Sequence, residues 1–306
     1  MPRSRPVTDE PDSGSGDRRA HRTSGVLPWL FYPMVVTATF ALCVWLRGHG
    51  ASLGTATYTS IVFAALSVAV LEVWRPHRST WRPAADEVKT DLGFMTVVQL
   101  AFPPVMGFVF TSSLIEPARR LGLPTTGLWP HGWPVWTQVV LMILVVDLLR
   151  YWIHRASHET DVLWRLHAVH HSVSQLYWLN TARFHVLEKA LQMSADSLPF
   201  LLMGVDPVVL SLYYVAYATN GFFQHSNIEL RFGPLNYLVS SAEAHRWHHS
   251  REPREANANY GSTLIVWDLV FGTWYLPAER EVDALGLHDA TYPKSFLGLM
   301  RAPFSR

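Results

Sequence analysis

Eight of the fifteen histidines in this 306-residue sequence stand in three short arrays, one HxxxH and two HxxHH. They are His154 and His158, then His167, His170 and His171, and last His245, His248 and His249. In a helix, residues three and four positions apart share one face, so the imidazoles of each array can converge. Neutral imidazole binds Zn, Cu, Fe and Ni, and eight imidazoles are too many for one ion. The arrays therefore predict two metal ions, each held by four or five nitrogen donors.

Three classes of protein could use such a site. An all-imidazole pair of metals beside a membrane suits oxygen activation next to an apolar substrate, and we prefer this interpretation. A zinc-dependent membrane hydrolase needs about three protein ligands and a water, which leaves most of these histidines without a role. A histidine-based metal-binding or transport protein would carry ionisable residues along its spans, where we find only Glu72 and Asp147, both near the ends of apolar stretches. These two classes stay open as alternatives.

The composition is that of a membrane protein. Hydrophobic residues make up 49% of the sequence and charged residues 16%, with a mean hydropathy of +0.10, whereas a soluble protein carries about 25% charged residues. The net charge of +1 gives no reason to expect a nucleic-acid partner. The single cysteine, Cys43, excludes disulfides and iron–sulfur clusters as main features.

Four apolar stretches approach the roughly 20 residues needed to cross a bilayer. They cover residues 28–46, 57–74, 92–115 and 134–153. A fifth, at about residues 198–223, is broken at Asp206-Pro207 and has histidine arrays on both sides. A single span there would separate the arrays, whereas a hairpin that turns at Asp206-Pro207 returns the chain to the same face. We therefore predict an all-α integral membrane fold with about four transmembrane helices and a histidine-rich helical catalytic domain that includes a re-entrant or interfacial helical hairpin.

Basic residues predict the orientation of the chain in the membrane. Arginine is frequent in the first 22 residues, and the second loop carries Arg75, Arg78, Arg82 and Lys89. The positive-inside rule then places the N-terminus and the catalytic domain in the cytoplasm. The predicted organisation is a disordered tail over residues 1–25, transmembrane helices over 26–146, the catalytic domain over 147–276 and a C-terminal tail over 277–306.

The arrays, downstream of apolar helices, resemble those of the fatty acid hydroxylase/sterol desaturase superfamily of membrane di-iron oxygenases. Asn259-Tyr260-Gly261, Asp268 and Phe271-Gly272-Thr273 add to the resemblance, which covers about residues 147–275. It implies two iron ions, O2 as co-substrate, and hydroxylation or desaturation of a sterol, fatty acyl, carotenoid or alkylglycerol lipid from the bilayer. It also implies that the eight arrayed histidines are metal ligands, with no catalytic residue needed beyond the ligands.

The resemblance adds two histidines outside the arrays. His225 matches an isolated histidine that the superfamily places before its last array, which implies a ninth ligand. Arg183-x-His185 resembles an Arg-x-His-Pro element of the superfamily, although Val186 replaces the proline. His185 is therefore a candidate metal ligand or near-site residue.

Further partners are needed around the metals. A metal-bound histidine usually donates its other N–H to a carboxylate or carbonyl, and Asp147, Asn259 and Asp268 are candidates for this outer position. Electrons must come from elsewhere, because the sequence has no GxGxxG element after a strand, no cysteine set for a cluster and no haem-attachment motif. We expect an external electron donor, a reductase with a ferredoxin or cytochrome.

Overall fold

The protein is described by a computed structural model over residues 25–122 and 127–305. The predicted disordered tail, residues 1–25, lies outside the described residues except for Gly25. Regular structure in the described ranges is helical, with only three isolated β-bridges. The helices are α1 Leu27–Gly48, α2 Leu53–Trp74, α3 Ala85–Arg120, α4 Val135–Glu159, α5 Asp161–His171, α6 Val186–Asp196, α7 Leu198–Leu202, α8 Pro207–His225, α9 Ala242–His248, α10 Pro253–Ala256, α11 Val266–Phe271 and α12 Phe296–Arg301.

Helices α1 to α4 are long and apolar enough to cross a membrane. This confirms the four predicted spans and the membrane character of the chain. Helix α4 has 25 residues, which makes it about 37 Å long, longer than the roughly 30 Å of a bilayer core. Its last turns can therefore emerge from the apolar layer, and they carry His154 and His158.

Helix α3 continues through Pro103-Pro104 as one irregular span. A proline removes a backbone donor and its ring crowds the preceding turn. Two π-helical segments, Met95–Ala101 and Thr111–Ile115, flank the prolines. Such wide turns accommodate local irregularity without ending the helix.

The predicted hairpin is present, and its first arm is longer than the sequence indicated. Helices α6 and α7 lead away from the histidines from Val186 onward, and α8 returns to them. The side chain of Asp206 accepts the N–H of Val208 at 2.7 Å and caps α8. The turn packs with Cys43 and Met142, on the halves of α1 and α4 far from the histidines, so the hairpin reaches through most of the depth of the spans.

The chain after α8 folds back over the histidines. Helix α9 carries the last array, and α11 closes the domain beside α4. The segment delimited as the C-terminal tail is part of this packing, because Val282, Leu285 and Leu299 are buried.

Candidate metal centre

Nine histidines meet at one end of the spans and form two groups. In each group, one ring nitrogen from every histidine lies within 4.8 Å of those of the others. The five-histidine group contains His154, His158, His167, His171 and His248, and the four-histidine group contains His170, His225, His245 and His249. The groups thus offer the numbers of donors that the sequence predicts for two ions.

Each HxxHH array is divided between the two groups. On α5, His167 and His171 belong to the five-histidine group, while His170 belongs to the four-histidine group. The last array does the reverse, since its first and third histidines join the four-histidine group and its middle one, His248, joins the other. The two arrays therefore cross. The ring centroids of His171 and His249 are 4.6 Å apart, so the groups lie side by side.

In the five-histidine group, two ring nitrogens lie close together although neither has a hydrogen to donate to the other. His154 Nδ1 donates to the Tyr260 carbonyl at 2.8 Å, and His167 Nδ1 donates to the Glu188 carboxylate at 2.7 Å. The Nε2 atom of each ring therefore carries a lone pair, and these two atoms are 3.0 Å apart. Two lone pairs repel at this distance unless a cation lies near both. Metal–nitrogen bonds of about 2.1 Å bring neighbouring ligand nitrogens to roughly this separation, so the donors fit a metal ion.

The same separation recurs elsewhere in the centre. The Nε2 atoms of His171 and His248 are 3.1 Å apart in the five-histidine group. In the four-histidine group, those of His225 and His245 are 3.0 Å apart. Both groups are therefore arranged to surround a cation.

Acceptors outside the centre fix the other nitrogen of several rings, which sets ring orientation. Besides those of His154 and His167, the Nδ1 partners are Asn257 Oδ1 for His158 at 3.0 Å, the Arg183 carbonyl for His170 at 3.2 Å, Asn180 Oδ1 for His225 at 2.8 Å, and the Ala258 carbonyl for His248 at 2.8 Å. By contrast, Nδ1 of His245 and His249 has no hydrogen-bond partner in the described chain.

Burial disfavours the charged form of eight of these imidazoles. Desolvation, with a smaller contribution from neighbouring histidines, lowers the pKa of His170, His171, His248 and His249 well below its ordinary value. The same causes lower the pKa of His245 to about 3. A neutral imidazole keeps the lone pair that a metal needs, so the donors are ready for a cation at neutral pH.

Two of the predicted outer residues bond to the backbone rather than to an imidazole. Asp147 accepts the N–H of Thr263 at 3.0 Å, and Asp268 accepts the N–H of Tyr260 at 2.8 Å. Because the Tyr260 carbonyl in turn accepts from His154, both carboxylates fix the loop that orients this histidine. Their effect on the metals stays a prediction.

Asn259, the third predicted outer residue, has a left-handed backbone with φ of 57°. Its side chain donates to the Ala244 carbonyl at 2.9 Å and accepts the N–H of Tyr275 at 2.8 Å. It thereby ties α9, which carries the last array, to the chain after α11.

The structure does not bring His185 to either group. Its Nδ1 accepts the N–H of Leu187 at 3.2 Å and caps α6, while its Nε2 donates to the Met300 carbonyl at 3.1 Å. Both ring nitrogens are thus engaged, so no lone pair is left for a metal. The position is near the site, at the start of the helix that carries Glu188.

Sequence reasoning missed Glu188, Asn180 and Asn257, whose side chains hold histidines of the centre. Only Glu188 left a signal in the sequence, since it is a charged residue shortly before an apolar stretch that enters the membrane. Asn180 lies in a short 3-10 helix, Trp178–Ala182, and Asn257 directly follows α10. At neither position does residue type alone indicate which histidine is near.

The sequence analysis was wrong about ionisable residues in the spans. Besides Glu72 and Asp147, Arg150 lies within the fourth apolar stretch. Its guanidinium pairs with Asp196 of α6 at 2.6 Å, and both side chains are buried. The charge is tolerated because the hairpin brings its counter-ion into the membrane-spanning part.

A cavity of about 620 Å³ leads from the histidines into the spans. Such a volume is typical of a small-molecule site. At one end it is lined by His154, His167, His170, His225 and His245. Residues of α2, α3, α6 and α8 form its walls, and it ends near Leu53 and Pro207 at the hairpin turn.

Comparison with known proteins defines the class. The family model described as fatty acid hydroxylase matches residues 139–273. An ornithine lipid hydroxylase, OlsE of Rhizobium tropici, is 33% identical to the chain over 78% of this chain and 72% of its own length. The chain belongs to the fatty acid hydroxylase family. The predicted class, an oxygen-dependent lipid hydroxylase or desaturase, is confirmed, and neither a zinc hydrolase nor a metal carrier is favoured.

Other relatives match a smaller part of their own length. The alkylglycerol monooxygenase of Danio rerio is 32% identical over 51% of this chain and 34% of its own length. The alkylglycerol monooxygenase of Homo sapiens is 32% identical over 56% of this chain and 36% of its own. No solved structure matches the chain significantly.

Proposed function

We propose that the protein is a membrane di-iron oxygenase that hydroxylates a lipid taken from the bilayer. The observation that carries the proposal is the convergence of Nε2 atoms, which lie 3.0 to 3.1 Å from their neighbours in both groups. Iron is supported by the family and by the preference of imidazole for such metals. The ligands are His154, His158, His167, His171 and His248 for one iron, and His170, His225, His245 and His249 for the other.

Iron supplies the activation of O2, a chemistry that amino-acid side chains lack. The overall change replaces a C–H bond of the lipid by C–OH, and the second oxygen atom leaves as water. This balance consumes two electrons and two protons. The electrons come from a separate reductase with a ferredoxin or cytochrome, because the sequence carries no motif for a redox cofactor other than the histidine site.

The chain itself binds and aims the lipid. The cavity reaches the lipid-facing surface between α2 and α3, since Tyr58 and Leu100 line it and are 59% and 56% exposed. A lipid can therefore enter sideways from the bilayer. The buried walls of the cavity then exclude water from the reacting carbon of the lipid. The imidazoles hold the metals at one end of the bound lipid.

Hydroxylation is supported over desaturation by the names of the relatives, which include a lipid hydroxylase and monooxygenases. The orientation remains as the basic loops predict it, with the histidine end of the spans in the cytoplasm. A cytoplasmic electron donor would then reach the same face.

The test is metal and product analysis of detergent-purified protein. Wild-type protein should hold about two irons per chain and form an oxygen-dependent hydroxylated lipid when a reductase system is added. The double variant His170→Ala, His248→Ala, which removes one ligand from each group, should lose both iron and product. One zinc per chain, or iron that survives both substitutions, would refute the di-iron oxygenase.

A further inference from the structure

The cavity contains a buried cation that no described residue engages. Lys189 of α6 lines the cavity and is only 4% exposed. Its ammonium forms no hydrogen bond or ion pair within the described ranges, and unlike Glu188 Oε2 and Asp196 Oδ1 it is not closed off by surrounding atoms. A buried cation without a partner is costly and rare. Its place beside the cavity therefore indicates that a ligand supplies the partner.

The neighbours of Lys189 are already engaged. The ring of Tyr217 lies 5.4 Å from its ammonium, and a ring face stabilises a cation from one side only. Asp196 pairs with Arg150 at 2.6 Å, and Glu188 accepts from an imidazole of the metal centre at 2.7 Å. The ammonium thus keeps N–H donors for a molecule in the cavity.

The ligand must bring an acceptor to Lys189, because an ammonium has three donors and no acceptor. The hairpin end of the cavity is mostly apolar, with Leu201 and Leu210 among its residues, and hydroxyl groups there are paired with one another. The acceptor therefore belongs to a molecule with an apolar tail, as the carbonyl oxygen of an acyl lipid does. A phosphate suits the site less, since it usually recruits several cationic donors, and Arg150 is already paired with a carboxylate.

Lys189 lies about one helical turn from the metal centre. Its ammonium and the guanidinium of Arg150 both face the ring of Tyr217, at 5.4 Å and 4.7 Å from its centre. Arg150 precedes His154 by four positions on α4, which is roughly 6 Å along the helix axis. A carbonyl bound by Lys189 therefore lies between the histidines and the apolar end of the cavity.

We propose that Lys189 donates a hydrogen bond to the carbonyl oxygen of an acyl lipid and so determines which carbon faces the metals. The acyl tail extends along α8 from Tyr217 towards Pro207, a length of about 15 Å. The carbons next to the carbonyl lie near the histidines, and the tail end lies away from them. This inference rests on the proposed function, since the bound lipid is taken to be the substrate of the same site.

The first test detects the hydrogen bond in the wild-type enzyme. Methyl dodecanoate, labelled at the carbonyl carbon with the heavy carbon isotope, is bound to purified, iron-loaded enzyme without oxygen. Its carbonyl stretch is then measured by infrared difference spectroscopy. A hydrogen bond from an ammonium should move this band to lower frequency than in hexane. A band at the hexane position overturns the proposal, and this result does not depend on the folding of any variant.

The second test assigns the hydrogen bond to Lys189. Lys189→Met removes the ammonium and keeps much of the side-chain shape. Scintillation proximity binding compares tritiated methyl dodecanoate with tritiated tetradecane, a hydrocarbon of the same chain length without an acceptor. The substitution should weaken ester binding about tenfold, as the loss of a charge-assisted hydrogen bond would, and should not weaken tetradecane binding. Lys294→Met, the same change at an exposed lysine away from the cavity, should alter neither.

A third lipid, N-methyldodecanamide, distinguishes the two linkages that carry a carbonyl. Weaker binding of both ester and amide by Lys189→Met assigns the carbonyl itself, and weaker binding of one alone assigns that linkage. Equal weakening of tetradecane and the carbonyl lipids, or no weakening of either carbonyl lipid, overturns the proposal.

The proposed function fails in a different way. Product is measured separately with O2 and reductant, and the new hydroxyl should lie near the carbonyl in wild type and spread along the tail in Lys189→Met. A shifted carbonyl band without any oxygenated product would leave Lys189 as a carbonyl-binding residue and remove the oxygenase. Product without a shifted band would do the opposite.

Discussion

The two histidine groups lie side by side but are held differently. In the five-histidine group, Nδ1 of four rings has an acceptor on the surrounding chain. In the four-histidine group only His170 and His225 have one, and Nδ1 of His245 and His249 lacks a partner among the described residues. Three members of the four-histidine group line the cavity, against two of the other. We infer that the five-histidine group is the more rigid, and that the four-histidine group lies closer to the reacting carbon and holds its ion less tightly.

The largest effects should follow from removing one ligand from each group separately. His248→Ala should empty the five-histidine group and His245→Ala the four-histidine group, so each variant should retain roughly one iron per chain. Both should lose product formation, because the reaction needs both ions. Iron is counted by elemental analysis. His288→Ala, at an exposed histidine outside the centre, should retain both irons, and a ligand variant that does so would contradict the grouping.

A smaller effect on iron binding should follow from replacing Glu188, the residue that accepts a hydrogen bond from the ligand His167. Glu188→Gln replaces the carboxylate that accepts from His167 by a weaker, neutral acceptor. We expect iron affinity of the five-histidine group to fall about ten- to a hundredfold, measured by competition with a chelator. Glu279→Gln, at an exposed glutamate, is the control. Unchanged affinity in Glu188→Gln would mean that this hydrogen bond does not orient the ring for a metal.

The difference in iron affinity between the two groups can be measured directly with His248→Ala and His245→Ala, which each lack one ligand. Each retains the iron of the group that was not altered, so each group can be titrated with chelator by itself. Iron in His248→Ala, held by the four-histidine group, should leave at about tenfold lower chelator concentration than iron in His245→Ala. Equal concentrations, or the reverse order, would show that the unpartnered Nδ1 atoms do not weaken the group.

The smallest effect is expected at His185. Asparagine is a good helix N-cap, so His185→Asn should keep the start of α6 and lose only the bond to the Met300 carbonyl, which costs about 1 kcal/mol of stability. A thermal melt in detergent measures this loss. Iron content and product formation should stay close to those of the wild type, because His185 belongs to neither histidine group. A marked loss of iron would make His185 a ligand after all and would change the count of the two groups.

Several features could be predicted because they depend on local sequence. The four spans follow from runs of apolar residues, and Asp206-Pro207 marks the hairpin turn because proline cannot continue the preceding helix. The start of the first hairpin arm was missed, because Glu188 and Lys189 precede the apolar run and are not apolar themselves. Glu188 is acceptable inside the fold because His167 and Gln192 donate to it. Arg150 was overlooked because its counter-ion, Asp196, lies 46 residues away.

By itself, the sequence determined which donors are available, since imidazoles spaced three and four apart on short helices are fixed by the chain and by helix geometry. It also determined that His154 and His158 stand at the end of an apolar helix. Only the tertiary structure decided that each HxxHH array is shared, with His167 and His171 meeting His248, and His245 and His249 meeting His170. That division depends on how α5 and α9 cross when the hairpin brings them together. The two helices are far apart in sequence, since His171 and His248 are separated by 77 positions. Helical spacing shows which side chains share a face, and only packing decides which of them approach the same ion.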